Sequence, residues 1–431
     1  MNPTIAPARA LFVLAILVAL PLCTMIGLDP ARATVYELAL LLIAGAAGFD
    51  AWLGLTRLEG TSTSCPSIIR ATQNVPTEIP VTVQQALGLP VRASVELPTG
   101  IETQSPRVVE LSGPGTLTID ITARERGEHT VRRCSLEIKS PAYLWLVRKT
   151  VPLQTELRVY PDMRGDTTAA ALLRRRDPGS HRFRQLGRGR EFERLRDYLP
   201  GDTFDEVSWK ATARRGRPVV RVFQIERTQE VYVALDISRL SGRHAAIEGY
   251  VKAALLLSLA AESQGDKFGL VTFSDRVQSF LRAAQGKQQY SACREVLYRV
   301  RPQPVSPDFA ELFTFLQLNL RRRALVIFLT ALDDPLLAET FTRDLALLTR
   351  RHLAVVALTN DPEVQPVFEG PPVKETADVY RGLAGHLVWT QLRETEKKLE
   401  RHGVIIARVD PDRVGAQLAE VYANIKRRQL L

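Results

Sequence analysis

The sequence predicts an α/β, doubly wound domain preceded by a β-sandwich and an N-terminal transmembrane helical hairpin. Three observations carry that expectation. Two long apolar runs fall within residues 1–58. Short alternating runs with Pro/Gly turns fill residues 60–162. Apolar strands then alternate with helical patterns over residues 219–431, the order that builds a parallel sheet covered on both faces.

In the anchor, Leu11 to Leu28 is long enough for a bilayer span, and Val35 to Leu55 forms a second run. Glu37 and Asp50 stand near its two ends, while Tyr36 and Trp52 take interfacial positions. A signal peptide cleaved near Ala31-Arg32-Ala33 is the competing reading of the first run, but its basic region is Arg9 alone and Pro21 interrupts it. Arg9, Arg57 and Arg70 on one side follow the positive-inside rule. The expectation is a multi-pass protein of the inner membrane whose soluble parts face the cytoplasm.

Val81 to Val83, Arg92 to Leu97, Thr116 to Ile121 and His129 to Val131 alternate with period two and are separated by turn residues, as in an immunoglobulin-like sandwich. No acid/base cluster or ligand-spaced histidines occur there, so this reads as a packing and spacer module. Residues 163–218 hold an arginine-rich linker (Arg174-Arg175-Arg176, with His181 downstream) and a denser motif. That motif places Arg194, Arg196 and Tyr198 before a Pro200-Gly201-Asp202 turn, and Trp209, Lys210 and Arg214 after it. Opposite charges folded across one turn can pair, and Tyr198 and Trp209 are expected to pack its base. The strand Val219 to Ile225 is expected to neighbour Val231 to Leu235, beside the Asp236 strand end.

The net charge of +10 suits nucleic acid, anionic lipid or an acidic partner. Its diffuse spread favours a solvated face near a membrane, and no nucleic acid is expected. Cys23, Cys65, Cys134 and Cys293 lie far apart, which argues against a disulfide framework or a zinc site and suits a reducing compartment. No Lys-Ser/Thr follows Gly187-Arg188-Gly189, so no P-loop is present.

The order Glu-x-x-x-Leu-Arg-x-Tyr-x-x-Gly-Asp from Glu191, then Trp209-Lys210-x-x-Ala213-Arg214, then a strand ending in Leu235-Asp236-Ile237-Ser238, resembles the domain-of-unknown-function 58 family. The resemblance implies a von Willebrand factor A-like domain and a MoxR-type AAA+ ATPase as partner. It also implies a Mg²⁺ site of Asp-x-Ser-x-Ser, a distant Thr and a distant Asp, oxygen ligands that suit a hard cation. Asp236 and Ser238 match, but Leu240 replaces the second serine, with Ser241 one place late. After the apolar strand stands Thr330-Ala331, with Asp333 and Asp334 late, and Ser306-Pro307-Asp308 is the nearest threonine-loop counterpart. The metal set Asp236, Ser238 and Asp333 is therefore expected to be degenerate and empty, with no cofactor. The expected function is a non-catalytic, membrane-anchored interaction protein. Its rivals are a metal-dependent hydrolase centred on Asp202, Asp236 and Asp333, and a nucleic-acid binder using Arg174 to Arg196.

Overall fold

The structure, a computed structural model, describes residues 3–28, 33–59, 61–84, 90–103, 106, 108–111, 113, 115–164, 186–199, 207–224, 228–242, 246–359, 364–367, 375–428 and 430. The chain divides after Asp162 into two compact units.

In the first unit, β1 (Thr4–Pro7) precedes α1 (Arg9–Leu14), a π turn (Ala15–Ala19), α2 (Leu20–Leu28) and α3 (Ala33–Glu59). The π turn lies directly ahead of Pro21, whose ring and missing N–H disturb the helical ladder behind it. Among the described residues, one helix, over Glu37–Leu58, is long and apolar enough to cross a membrane. The earlier run, Arg9–Met25, is shorter.

Then come β2 (Ser62–Ser64), β3 (Ile68–Thr72), β4 (Pro76–Gln84), β5 (Val91–Glu96), β6 (Ile101–Thr103), β7 (Val109–Leu111), β8 (Gly115–Ala123), β9 (Gly127–Lys139) and β10 (Trp145–Tyr160). They form a β-sandwich-like pair of sheets: one ordered β1-β10-β9-β5-β7 with β3 also on β10, the other β2-β4-β8-β6. Alternation decides what is buried. Ile79, Val81 and Val83 of β4 and Leu117, Ile119 and Ile121 of β8 point inward to meet Val131, Leu136, Leu157 and Val159 of the other sheet. Register breaks between Pro152 and Thr155, where proline withholds a ladder donor.

The second unit holds a two-stranded ribbon and a six-stranded sheet. The ribbon pairs β11 (Leu186–Asp197) antiparallel with β12 (Val219–Gln224), and α4 (Trp209–Arg215) lies between them in sequence. The sheet order is β15-β14-β13-β16-β17-β18, with β13 at Glu230–Asp236, β14 at Lys267–Phe273, β15 at Val277–Ala284, β16 at Ala324–Leu329, β17 at Leu353–Thr359 and β18 at Ile405–Val409. All are parallel except the edge strand β15. Helices α5 (Arg239–Gly242), α6 (Ala246–Ser263), α7 (Lys287–Leu297), α8 (Phe309–Asn319), α9 (Pro335–Leu348), α10 (Thr376–Arg401) and α11 (Val414–Arg427) complete the unit.

Both faces of the sheet are covered, as its continuous apolar strands require. Val231, Val233 and Leu235 of β13, with Leu325, Ile327 and Leu329 of β16, meet α6, α7 and α11. The alternate residues Tyr232, Ala234, Val326 and Phe328 meet α8, α9 and α10. Expectation and structure part at Val219 to Ile225. That strand was expected beside β13, yet β13 already has β14 on one edge and β16 on the other. With no vacant edge there, β12 pairs with β11 instead.

Candidate functional site

The chain leaves β13 to build β14 on one side, then returns to build β16 on the other. Such a reversal opens a crevice at the carboxyl ends of the two strands, where open α/β sheets gather ligands. Asp236 closes β13, and Thr330 follows β16 at that point. Both are fully buried.

Each Asp236 oxygen is engaged within the fold. Oδ1 accepts the Ser238 backbone N–H at 2.8 Å, and Oδ2 accepts the Thr330 hydroxyl at 2.6 Å. Burial pushes the Asp236 carboxyl above its ordinary range, and the hydrogen bonds from Thr330 and Ser238 oppose that shift. Tyr250 lies beneath, its hydroxyl 3.4 Å from that of Thr359. Burial first, then the charges of Asp236 and Asp333, push its phenol up to about 12, against the Thr359 hydrogen bond.

The loop before α8 is strapped across this end of the sheet. Gln303 N–H donates to Ile237 O at 2.7 Å, Arg239 N–H donates to Val305 O at 2.9 Å, and Asp308 N–H donates to Ser274 O at 2.9 Å. Arg239 then reaches outward. Its Nε donates to Ser306 Oγ at 2.9 Å and its Nη2 lies 3.6 Å from Asp334 Oδ2. Its side chain keeps 37% of its exposure.

These residues do not fit a Mg²⁺ ion. A hard cation needs several carboxylate and hydroxyl oxygens turned toward one point. Asp236 spends both oxygens inside the fold, and the Ser238 hydroxyl accepts from Leu240 N–H at 3.3 Å. Leu240 is a core residue, and Ser241 turns its hydroxyl back to Ser238 O at 2.9 Å. Asp334 caps α9 through Leu336 and Leu337 N–H. Between Ser306 and Asp334 the guanidinium of Arg239 already supplies a positive charge. Among the described residues no group of three or more His, Cys, Asp or Glu could hold a metal ion.

Of the expected metal set, Asp236 and Ser238 meet directly, and Asp333 joins Asp236 in acting on Tyr250. Thr330, Arg239, Tyr250 and Gln303 were absent from that set. Thr330 was legible from its place after the apolar strand. Arg239 was not, since its partner Ser306 lies 67 residues away.

The central motif is divided differently. Gly201 and Asp202, with Arg174 to Arg176 and His181, lie outside the described residues. Arg194 falls in β11 opposite Val222, and Arg196 opposite Val220. Arg196 Nη1 donates to Asp197 O at 3.2 Å, and Tyr198 N–H donates to Pro218 O at 3.0 Å. Asp197 pairs with Arg217 at 3.0 Å. Lys210 and Arg214 are exposed on α4, and Trp209 is 65% exposed. The expected packing of Trp209 into the base of the motif is therefore corrected. Trp209 opens α4 at its exposed end, and the buried positions next to it are taken by Val207, Val219 and Val220.

Residues 194–370 match the family model described as Protein of unknown function DUF58. This supports the DUF58 family for a stretch that begins inside the motif at Arg194 and runs through Asp236, Arg239, Ser306 and Thr330. No curated protein matches the chain. Among solved structures, a PapD-like domain of human CEP192 is 12% identical over 24% of this chain and 87% of its own, with a TM-score of 0.18. Proximal thread matrix protein 1 from the mussel byssus, with a zinc-occupied MIDAS motif, is 11% identical over 31% of this chain and 36% of its own, at 0.23. Murine CRIg is 13% identical over 23% of this chain and 97% of its own, at 0.16. This chain spans less than half of the mussel protein's length. TM-scores this low carry no argument about fold or function. Cys134, ahead of the DUF58 segment, is pushed by burial up to about 11, and Cys293, within it, up to about 12, so neither is a reactive thiolate.

Proposed function

We propose that this protein is a membrane-anchored, non-catalytic interaction protein that presents a von Willebrand A-like domain to a cytoplasmic partner, a MoxR-type AAA+ ATPase. The observation that carries the reading is the long helix α10. It runs 26 residues against 14 for α9, and both helices end just before the next strand. The surplus, about 18 Å at 1.5 Å per residue, therefore lies on the carboxyl side of the sheet, the side of Asp236 and Arg239. There Val379, Tyr380, Leu383 and Leu387 are exposed at helical spacing. A stripe of this kind suits a partner helix or groove. Arg239, on the same carboxyl side of the sheet, offers a fixed positive charge. The nucleic-acid and hydrolase readings gain no observation of comparable weight.

The anchoring part of the proposal is a helical hairpin in the inner membrane, with both soluble units on the cytoplasmic side. It is supported by β1, which precedes the first apolar run and pairs with β10, and by the far end of α3, which lies on the same sandwich. Both ends of the apolar stretch thus belong to one side.

The test is affinity capture of the intact membrane protein, wild type and Tyr380→Asp/Leu383→Asp, with mass spectrometry. Loss of an AAA+ ATPase from the variant, at unchanged melting temperature, is the expected result. Capture of the same ATPase by both forms would overturn the assignment of the surface. A hydrolytic activity of the purified protein that Asp236→Ala abolishes would overturn the non-catalytic reading.

A further inference from the structure

The second half of α3 is not free. Ala47, Asp50, Gly54 and Leu58, spaced by three, four and four residues, form one face laid against the sandwich. A Cβ on Gly54 would stand 2.9 Å from Val147 Cγ2, so the helix approaches β10 as closely as its backbone allows. Asp50, 4% exposed, accepts Ala142 N–H at 2.8 Å and the Ser140 hydroxyl, and that hydroxyl accepts Trp145 N–H at 2.9 Å. Trp145 Nε1 donates to Ala47 O at 2.8 Å, and Lys149 Nζ lies 3.4 Å from Leu58 O. An acid in an apolar helix is costly unless its oxygens are satisfied, and here the β9–β10 turn satisfies them.

The other face of the same helix stays apolar and exposed through Val35, Leu38, Leu41, Leu42, Phe49 and Trp52, with Phe49 and Trp52 stacked at 5.7 Å. A hydrocarbon core of about 30 Å takes about 20 helical residues. Counted from Ala33, that length ends at Trp52, an interfacial residue type, two residues past Asp50. The helix is therefore gripped by the sandwich at the depth where its open face still meets lipid.

Resting on the anchoring reading above, we propose that the β9–β10 turn, Ser140 to Trp145, is a docking surface for the lipid headgroup layer. It seats the sandwich against the bilayer at a fixed height. The chemistry of the turn suits that place. Tyr143 is 57% exposed, and Lys139 Nζ lies 5.6 Å from the centroid of its ring, an amphipathic ring beside a cation. Tyr143 holds a left-handed backbone, φ 58°, unfavourable for a bulky residue, and its N–H donates to Ser140 O at 2.9 Å. Ala8 N–H donates to Leu144 O at 2.9 Å, which sets exposed Arg9, the start of the first apolar run, at the same level.

The experiment uses the full chain with Cys23 and Cys65 replaced by serine, reconstituted in phosphatidylcholine/phosphatidylglycerol vesicles. An environment-sensitive fluorophore is placed at Tyr143→Cys, at Lys139→Cys, or at Glu125→Cys on the exposed β8–β9 turn at the opposite end of the sandwich. Lipids carrying a nitroxide at the headgroup should remove most of the emission at positions 139 and 143 and little at 125. Nitroxides at the acyl-chain end should do little at any of the three. If labels at 139 and 143 behave like the one at 125 while the protein floats with the vesicles, the docking surface is wrong and the anchor stands. Strongest quenching by the chain-end nitroxide would also refute it, placing the turn inside the hydrocarbon. Failure of the protein to float would instead remove the anchoring reading itself.

Discussion

The Thr330 hydroxyl donates to Asp236 Oδ2 at 2.6 Å, joining two strand ends 94 residues apart at the point where the sheet reverses direction. Thr330→Val leaves a buried carboxylate oxygen without its donor. Such a loss costs about 1–3 kcal/mol, and denaturant melts should show it, with Thr330→Ser restoring most of the stability.

The same carboxylate gives a pH prediction. Its folded pKa is raised, chiefly by burial, so above the unfolded value the folded state holds its proton more tightly than the unfolded one. Stability contributed by this group therefore falls as pH rises from about 4 toward the folded pKa. Asp236→Asn should remove that part of the decline. Thr330→Val should extend it to higher pH, because the Thr330 hydrogen bond lowers the pKa. A pH profile unchanged by Asp236→Asn would contradict this.

Mg²⁺ should leave the melting temperature of wild type, and of Asp236→Ala, where it was. A specific ligand at a hundredfold excess over its Kd would stabilise by about 2.7 kcal/mol. A Mg²⁺-dependent rise in wild type that disappears in the mutant would show that the oxygens around Asp236 rearrange to bind metal.

Trp209→Ala should melt within about 0.5 kcal/mol of wild type, as exposed substitutions do. Asp266→Ala should not. Asp266 is buried, accepts from Lys426 at 2.7 Å and from the Tyr422 hydroxyl, and ties α11 to the start of β14. Breaking a buried charge pair costs about 3–5 kcal/mol. Equal melting temperatures for the two variants would be the opposite of this expectation.

Gly269→Ala tests the sheet itself. Its Cβ would fall 2.3 Å from the Tyr232 ring and 3.0 Å from Leu281 O, on a strand paired on both sides. Overpacking of this kind costs about 1–3 kcal/mol, to be read as a lowered urea midpoint.

Local pattern alone determined much of this protein. Period-two alternation marked β4, β5, β8 and β9, and continuous apolar runs marked β13 and β16. Helical patterns between the apolar strands of residues 219–431 marked the strand–helix alternation that the sheet and its covering helices complete, because each element must bury a face whose repeat is written in its own residues. Asp236, Ser238 and Thr330 were picked out only by the family resemblance, at the ends of two such strands. Tertiary structure alone decided which edge β12 could pair with, since β13 had none to spare. It also decided that Trp209 would stay in solvent while Val207, Val219 and Val220 take the buried positions next to it. Arg239 meeting Ser306 and Asp50 meeting Ser140 likewise depend on loops that converge only after the sheets close. No periodicity encodes a hydrogen bond between residues tens of positions apart; packing brings such partners together, and around buried Asp50 and Ser140 the low dielectric makes the pairing obligatory.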